Sequence, residues 1–132
     1  MDLRNQILLE HTKTNCQLII DWIGNDALRF NELFHLFLHN EYLINQRASW
    51  PMSYCAIAHP ELMKKNMGKL ITNLQKPNLH NSIKRNTMKL LQSIDIPVKY
   101  EGIVMNICFA YLEDPKEAVA VKAFSLSVLG RL

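Results

Sequence analysis

Apolar residues recur every three or four positions along most of the chain, which is the spacing of one face of an α-helix. This spacing predicts helices over residues 3–23, 27–39, 41–58, 60–76, 81–94, 98–112 and 115–132. The first of these segments is compatible with one long helix or with two short helices separated near residues 12–14. The stripe of each helix is wide enough to need a packing partner, so the pattern indicates helices packed on helices.

Residues that favour helix ends lie between the predicted segments. Gly24-Asn25 is a typical helix stop, and Pro60 suits the first turn of the helix that follows it. The residues predicted to cap helix N-termini are Asp26, Asn78 or Asn81, and Asp114, the last followed by Pro115 at the first helical position and by Glu117 in the first turn.

Pro51 lies inside the segment 41–58. A proline has no backbone N–H, so the carbonyl of Arg47 loses the donor it would have in a regular helix. We therefore expect a kink or a break near Ser49-Trp50.

Composition supports a single helical domain over residues 1–132. Of the 132 residues, 48% are hydrophobic and 20% are charged, while glycine (4) and proline (5) are scarce, so the turn density of an all-β fold is missing. The three cysteines (Cys16, Cys55 and Cys108) are widely spaced, which indicates reduced thiols and predicts a cytoplasmic protein. No apolar run approaches the length of a membrane span, and no motif for a cofactor is present.

A basic residue followed by a helical apolar ladder occurs three times. Its anchors, Arg47, Arg85 and Lys122, are 38 and 37 residues apart, a spacing that suits one helical hairpin per repeat. With Asp114-Pro115 placed before the last anchor, the units 27–58, 61–95 and 98–131 resemble HEAT and armadillo-like repeats. The resemblance implies an all-α, right-handed α-α superhelix of about three such hairpins, preceded by an N-terminal helix over residues 2–24.

The same resemblance implies a ladder of polar contacts between repeats. In that family an acidic or amide residue near the turn of a hairpin tends to pair with the basic residue of the second helix. Here the corresponding pairs are Asn40 with Arg47, Asn78 with Arg85 and Asp114 with Lys122. Because two of the three acceptors are Asn, the resemblance implies a hydrogen-bonded ladder more than an ionic one.

Residues 41–95 carry eight basic and three acidic side chains, within a net charge of only +3. If the second helices of the repeats line a concave surface, equivalent positions form a stripe able to meet an acidic partner, with an indole available for stacking. The candidate residues are Arg47, Trp50, Lys84, Arg85, Lys89 and Lys122. The alternative is structural: the basic residues tie the repeats together and Trp50 lies in the core.

Two groups of residues that include histidine are candidates for chemical sites. His35 and His39 have the i, i+4 spacing of a two-histidine metal site, with Glu32 or Glu41 as a further ligand, but surface positions explain them equally. Glu10-His11 with Cys16 has the residue types of thiol catalysis.

If residues 11 and 16 share one helix, they lie about 140° apart and do not meet. His11 and Asn15 are therefore predicted to be buried polar groups that bond to a neighbouring helix. With no phosphate loop, GxSxG motif or paired carboxylates, we expect neither an enzyme nor a metal protein.

The sequence therefore predicts a non-catalytic interaction or scaffold module that binds another protein. The alternative is a nucleic-acid-binding repeat protein with a basic concave face, similar to DNA-repair glycosylases built on the same stack, whose grouped acidic and aromatic residues are not identified here. The last helix carries little polar covering on its apolar face. That face predicts cover by another chain, including self-association through the C-terminal helix.

Overall fold

The computed structural model describes residues 1–132 and contains eight α-helices and no strand. The all-α prediction is therefore confirmed. The α-helices are α1 (Leu3–Leu9), α2 (Lys13–Ile23), α3 (Ala27–Leu38), α4 (Tyr42–Ala58), α5 (Met67–Leu74), α6 (Asn81–Ser93), α7 (Val98–Glu113) and α8 (Val119–Arg131), and a short 3-10 helix covers Pro60–Leu62. None of these helices combines the length and the apolar character needed to cross a membrane.

The helices group into two compact units, Met1–Lys64 and Lys65–Leu132. In the first unit α4 is the central element, because it contacts α1, α2, α3 and the 3-10 helix, with its most extensive contact to α3. The fully buried side chains that fill this unit include Leu3, Ile7, Phe30, Leu33, Phe37, Ile44 and Met52. Burial of each such side chain stabilises the fold by roughly 1.5–3 kcal/mol.

In the second unit α8 packs against both α6 and α7, and α5 contacts α6 and α7. The core of this unit is formed by side chains of all four helices, among them Leu70, Met88, Leu90, Leu91, Val104, Cys108, Val121 and Val128. The helix α7 contributes only Val104 and Cys108 to the buried set, although it is 16 residues long. Most of its surface therefore faces away from the core.

The predicted boundary at residues 24–26 is confirmed. Gly24 ends α2 with a φ of +50°, a conformation that glycine adopts without steric cost, and its N–H donates to Ile20 O. The Asp26 carboxylate accepts from the N–H groups of Leu28 and Arg29 and so caps α3. Local hydrogen bonds of this kind join residues four or fewer positions apart, which is why the sequence reveals them.

The first segment forms two helices, the second of the two alternatives. The Thr12 hydroxyl oxygen accepts from Asn15 N at 3.1 Å and caps α2. The Asn15 amide donates to Gln6 O and Glu10 O, both at 2.8 Å. Asn15 therefore satisfies carbonyls at the C-terminal end of α1 and holds the two short helices together.

The predicted start of the helix over residues 60–76 is wrong. Residues 60–62 form a 3-10 helix, in which Leu62 N donates to His59 O and Met63 N donates to Pro60 O; residues 63–66 form a turn, and α5 begins only at Met67. Met63 is nevertheless fully buried, as its place in the apolar pattern predicts. The tighter 3-10 geometry keeps the apolar register while it changes the direction of the chain.

Two predicted N-caps are also wrong. The cap of α6 is His80, whose Nδ1 accepts from Ser82 N at 3.1 Å, while Asn78 adopts a φ of +60° in the preceding turn. The helix α8 begins at Val119 rather than at Pro115, because Asp114 closes a turn by accepting from Lys116 N at 2.9 Å.

Of the kink or break predicted near Ser49-Trp50, the break is not found, while the kink stays a prediction. The helix α4 continues from Tyr42 to Ala58 with Pro51 buried inside it. The Ser49 and Ser53 hydroxyls donate to Gln46 O and Trp50 O at 2.6 and 2.8 Å, so these two buried hydroxyls are satisfied within the helix. Packing of α4 against every other helix of the first unit maintains the helix through the missing hydrogen bond.

Candidate functional site

A shallow cleft in the first unit lies between the α1–α2 turn and α4. Its lining includes Glu10, His11, Thr12, Asn15, Arg47 and Trp50. Two of the predicted site residues, Arg47 and Trp50, are therefore brought together with polar residues of the N-terminal segment. His11 and Asn15 lie far from α4 in the sequence, and the prediction that they bond to a neighbouring helix did not identify α4 as a neighbour.

Arg47 closes the C-terminal end of α1. Its Nη1 donates to Ile7 O at 3.2 Å and to Leu8 O at 3.1 Å, two carbonyls that have no partner inside the helix. A positive charge is also favourable at this end of the helix dipole. The predicted pairing of Arg47 with Asn40 is replaced by this contact, so Arg47 joins α1 to α4.

Trp50 is half-buried at the edge of the cleft, not in the core. Its ring makes edge contacts with the rings of His11 and Tyr54, at centroid distances of 5.4 and 6.5 Å. His11 is exposed rather than buried, and partial desolvation together with the charge of Arg47 lowers its pKa. The cleft therefore favours a neutral imidazole beside an indole.

The residues Leu43, Arg47, Trp50 and Tyr54 follow one another at steps of four, three and four, so they share one face of α4. Leu43 and Tyr54 are exposed, and Arg47 and Trp50 are half-buried. We call these four residues the α4 stripe. Leu43 and Tyr54 were not among the predicted site residues, although their helical spacing from Arg47 and Trp50 is the signal that indicates them.

Cys16 lines the same cleft as His11 but lacks the properties of a nucleophile. Its thiol is buried, and burial with the neighbouring Cys55 thiol raises its pKa to about 12. The reactive form of a cysteine is the thiolate, which this pKa disfavours at neutral pH. The cleft is therefore suited to binding rather than to thiol chemistry.

Lys84 forms an ion pair inside the second unit. Its Nζ donates to Glu117 Oε2 at 2.9 Å, and the two side chains are 21% and 2% exposed, respectively. Glu117 Oε1 also accepts from Ala118 N at 3.1 Å, so this carboxylate orders the turn before α8 rather than lying in its first helical turn. The contact ties α6 to the α7–α8 turn.

Tyr111 completes the surroundings of this ion pair. The Lys84 ammonium lies 5.5 Å from the centre of the Tyr111 ring. The Tyr111 hydroxyl is buried without a hydrogen-bond partner, and burial followed by the charge of Glu117 raises its pKa. Of the predicted basic residues, Lys84 is thus engaged by a buried carboxylate and an aromatic ring of its own unit.

The remaining predicted residues lie on α6 and α8. Arg85 is exposed, while Lys89 and Lys122 are half-buried. Asp114 contacts Lys116 N in its own turn, so the pairing with Lys122 that the repeat resemblance implied is not found. Arg47 and Trp50 belong to the first unit and the other four residues to the second. A continuous basic stripe through all six stays a prediction.

The histidine pair of α3 is engaged in local contacts. The His35 and His39 rings lie 6.4 Å apart, and His39 Nδ1 accepts from Glu41 N at 3.2 Å. The Glu41 carboxylate accepts two hydrogen bonds from Arg4, which lower its pKa. No group of three histidine, cysteine or acidic side chains is placed to hold a metal ion.

The last two helices of the second unit expose large apolar side chains. Phe109 of α7 is 48% exposed, and Val119 and Leu126 of α8 are 84% and 60% exposed. Exposed apolar residues on these two helices make them a candidate interaction surface of the second unit. The sparse polar covering that the sequence predicted for the last helix is confirmed.

The architecture and surfaces described above define a class: an all-helical protein built from packed helix pairs, with exposed apolar and aromatic residues on several helices. The family comparison agrees with this class, because the HEAT repeat domain family matches residues 3–132. The chain belongs to the HEAT repeat domain family. No curated protein and no solved structure matches the chain.

Proposed function

We propose that this HEAT repeat protein is a non-catalytic module that binds another protein, and that the α4 stripe contributes to the binding surface. HEAT repeat domains generally act in protein–protein interaction or scaffolding. The proposal includes a right-handed superhelix of about three hairpins over residues 27–58, 61–95 and 98–131, as the repeat spacing predicts. The three buried free thiols support a cytoplasmic location.

One observation carries the proposal: a tryptophan, a tyrosine and an arginine follow one another along one exposed edge of α4. Trp50 is flanked by Arg47 and Tyr54, and its ring also contacts His11. Tryptophan, tyrosine and arginine are the residues most enriched where interfaces derive their binding energy. Both rings are held by contacts within the unit, so ordering them on binding costs little entropy.

The engagement of two cations weighs against nucleic acid. Arg47 donates to the carbonyls of α1, and Lys84 is paired with Glu117. Phosphate contacts require cations that can exchange their counterions for the nucleic acid backbone. Nucleic-acid binding through Arg85, Lys89 and Lys122 remains the second candidate, favoured by the exposure of Arg85.

Affinity capture with matched variants tests the protein-binding function. Leu43 and Leu28 are both exposed leucines at the second position of a helix, in α4 and α3 respectively. We expect immobilised wild type and Leu28→Lys to retain the same proteins from a cell extract. The double variant Leu43→Lys with Tyr54→Ala is expected to lose them. Retention by the double variant would refute a role for the α4 stripe.

Fluorescence anisotropy with a duplex DNA at low and moderate salt tests the alternative. The protein-binding proposal predicts no salt-dependent binding by wild type. Salt-dependent binding that Arg85→Gln weakens, without loss of helicity by circular dichroism, would instead support phosphate contacts.

A further inference from the structure

The exposed face of α8 is uncharged from Val119 to Gly130. Its exposed residues between Val119 and Gly130 are Val119, Ala120, Ala123, Leu126, Ser127 and Gly130. Four of them, Val119, Ala123, Leu126 and Gly130, follow at steps of four, three and four and form one narrow stripe, which we call the α8 seam. The buried residues Val121, Ser125 and Val128 lie on the opposite side of the helix.

We propose that two copies of this chain associate through the α8 seam, with their α8 helices antiparallel. This inference goes beyond the proposed protein-binding function, because it uses a different helix from the α4 stripe and names a second copy of the chain as the occupant. The argument is the order of side-chain sizes along the seam, which is large, small, large, small. In an antiparallel pair centred between Ala123 and Leu126, Val119 faces Gly130 of the second copy and Ala123 faces Leu126.

Each large side chain of the seam then meets a small one, and by two-fold symmetry each contact occurs twice. Complementary sizes allow the two helices to approach closely without voids. A parallel pair would place Val119 against Val119 and Gly130 against Gly130, which crowds one end and leaves a gap at the other. The order of sizes therefore selects the antiparallel arrangement.

Electrostatics is compatible with the same register. The flanking cation Lys122 faces Leu129 of the second copy rather than another lysine. Arg131 is turned toward its own unit, since its Nη1 donates to Leu91 O and Ile94 O, both at 2.9 Å. No like charges meet across the seam, so a second copy fits it without an unpaired buried charge.

The size of the seam sets the expected strength. A helix of 13 residues is about 20 Å long, so a single helix pair buries less than the roughly 800 Å² per partner of a standard interface. We therefore expect a reversible dimer with a Kd in the micromolar range. Because the seam is uncharged, added salt should leave this Kd unchanged.

Sedimentation equilibrium of the full chain over a micromolar concentration series tests the proposal. Wild type should dimerise, and Leu126→Lys should weaken the Kd at least about tenfold by burying a charge in the seam. Leu28→Lys is the matched control, because Leu28 is also an exposed leucine of a helix, and it should dimerise like wild type. A monomeric wild type, or dimerisation of Leu126→Lys at the wild-type Kd, would overturn the proposal.

A charge-complementation experiment tests the antiparallel register. Ala123→Glu and Leu126→Lys should each be monomeric alone. Mixed together they should form a heterodimer, because the new glutamate of one copy faces the new lysine of the other. The second, symmetry-related contact remains the wild-type pair of Leu126 with Ala123. Failure of the mixture to associate would overturn the antiparallel register.

These outcomes are separable from the protein-binding function. If wild type stays monomeric while protein capture that depends on Leu43 and Tyr54 persists, the dimer is refuted and the protein-binding function stands. If wild type dimerises as described but captures no other protein, the dimer stands and the role of the α4 stripe falls.

Discussion

Lys84 and Glu117 are 33 residues apart in the sequence and form a 2.9 Å ion pair inside the second unit. The carboxylate is almost fully enclosed, and its second oxygen accepts from Ala118 N. A buried charge without its partner is strongly disfavoured, whereas the intact pair contributes little more than apolar residues of the same shape would. The pair therefore fixes where the α7–α8 turn sits against α6.

Replacement of Glu117 by Gln should destabilise the protein by about 2 kcal/mol, less than a fully buried pair because Lys84 keeps some contact with water. Urea unfolding followed by circular dichroism measures the change. The double variant Lys84→Met with Glu117→Leu should lose less than the sum of its single variants. Additive losses would show that the two side chains are not coupled.

Arg47 and Arg131 have the same role in different units. Arg47 donates to Ile7 O and Leu8 O of α1, and Arg131 donates to Leu91 O and Ile94 O at the end of α6. Each guanidinium therefore satisfies two carbonyls that the end of a helix leaves without donors. In each arginine one nitrogen, Nη1, makes both contacts. A lysine ammonium also has several N–H donors, but its side chain is shorter and lacks the planar guanidinium, so it should reproduce these contacts only in part.

We expect Arg47→Met to lower the free energy of unfolding by about 1–3 kcal/mol, the usual contribution of hydrogen bonds from a charged donor. Arg47→Lys should recover only part of this loss. Exposed Arg85 serves as the control, and Arg85→Met should change stability by less than about 0.5 kcal/mol. Equal effects at the two positions would contradict the structural role of Arg47.

What the sequence could predict depends on how far apart the interacting residues are. The apolar spacing identified the helical segments, and the Gly24 and Asp26 signals identified one boundary, because both are decided within one or two turns. The contacts of Arg47 with α1 and of Lys84 with Glu117 span 33 to 40 residues. No local pattern reports contacts of that range, so the sequence left open whether these basic residues face a partner or tie the helices together.

The wrong helix starts have a related cause. Pro60 and Asp114-Pro115 are good helix-start signals, yet each lies in a turn that precedes the helix by several residues. His80 caps α6 through its imidazole, and histidine is not among the residues usually expected to do so. Of the candidate cleft, Arg47 and Trp50 were predicted as site residues, but the contact of His11 with Trp50 was not. That contact forms because residues 10–12 leave the helical conformation.

The stability of the fold should fall in alkaline solution because of its buried thiols. Burial raises the pKa of Cys16 and of Cys55 to about 12, and that of Cys108 to about 11. In the unfolded chain these thiols ionise near their ordinary pKa of about 8.5, so above that pH the unfolded state has released protons that the folded state retains. The stabilising contribution of the protonated, buried thiols is complete below the pKa of the unfolded chain, about 8.5, and is lost as the pH rises toward 12.

Urea unfolding midpoints measured between pH 7 and 10.5 test whether the stability of the fold falls as the pH rises. Wild type should lose stability as the pH rises, and Cys55→Ala should show a smaller fractional loss. At pH 7 a thiol reagent should modify the three cysteines only after urea is added, because the folded thiols are neutral and enclosed. Rapid modification of the folded protein at pH 7 would contradict the burial of these side chains.

Gly68 and Gly102 lie in helices of the second unit and should respond differently to alanine. A Cβ on Gly102 would meet nothing within 4 Å, so Gly102→Ala should raise the free energy of unfolding by about 0.5–1 kcal/mol through helix propensity. A Cβ on Gly68 would lie 2.8 Å from the Tyr100 hydroxyl oxygen, so the ring must move and the same gain should not appear.

Thermal unfolding of the two variants provides the comparison, and Tyr100→Phe provides the control. Without the hydroxyl, the nearest ring atom would lie 3.5 Å from the new methyl group, an ordinary contact distance. Gly68→Ala should therefore be more favourable in the Tyr100→Phe background than in wild type, by up to about 1 kcal/mol. An unchanged effect of Gly68→Ala in the two backgrounds would mean that the Tyr100 hydroxyl does not restrict this position of α5.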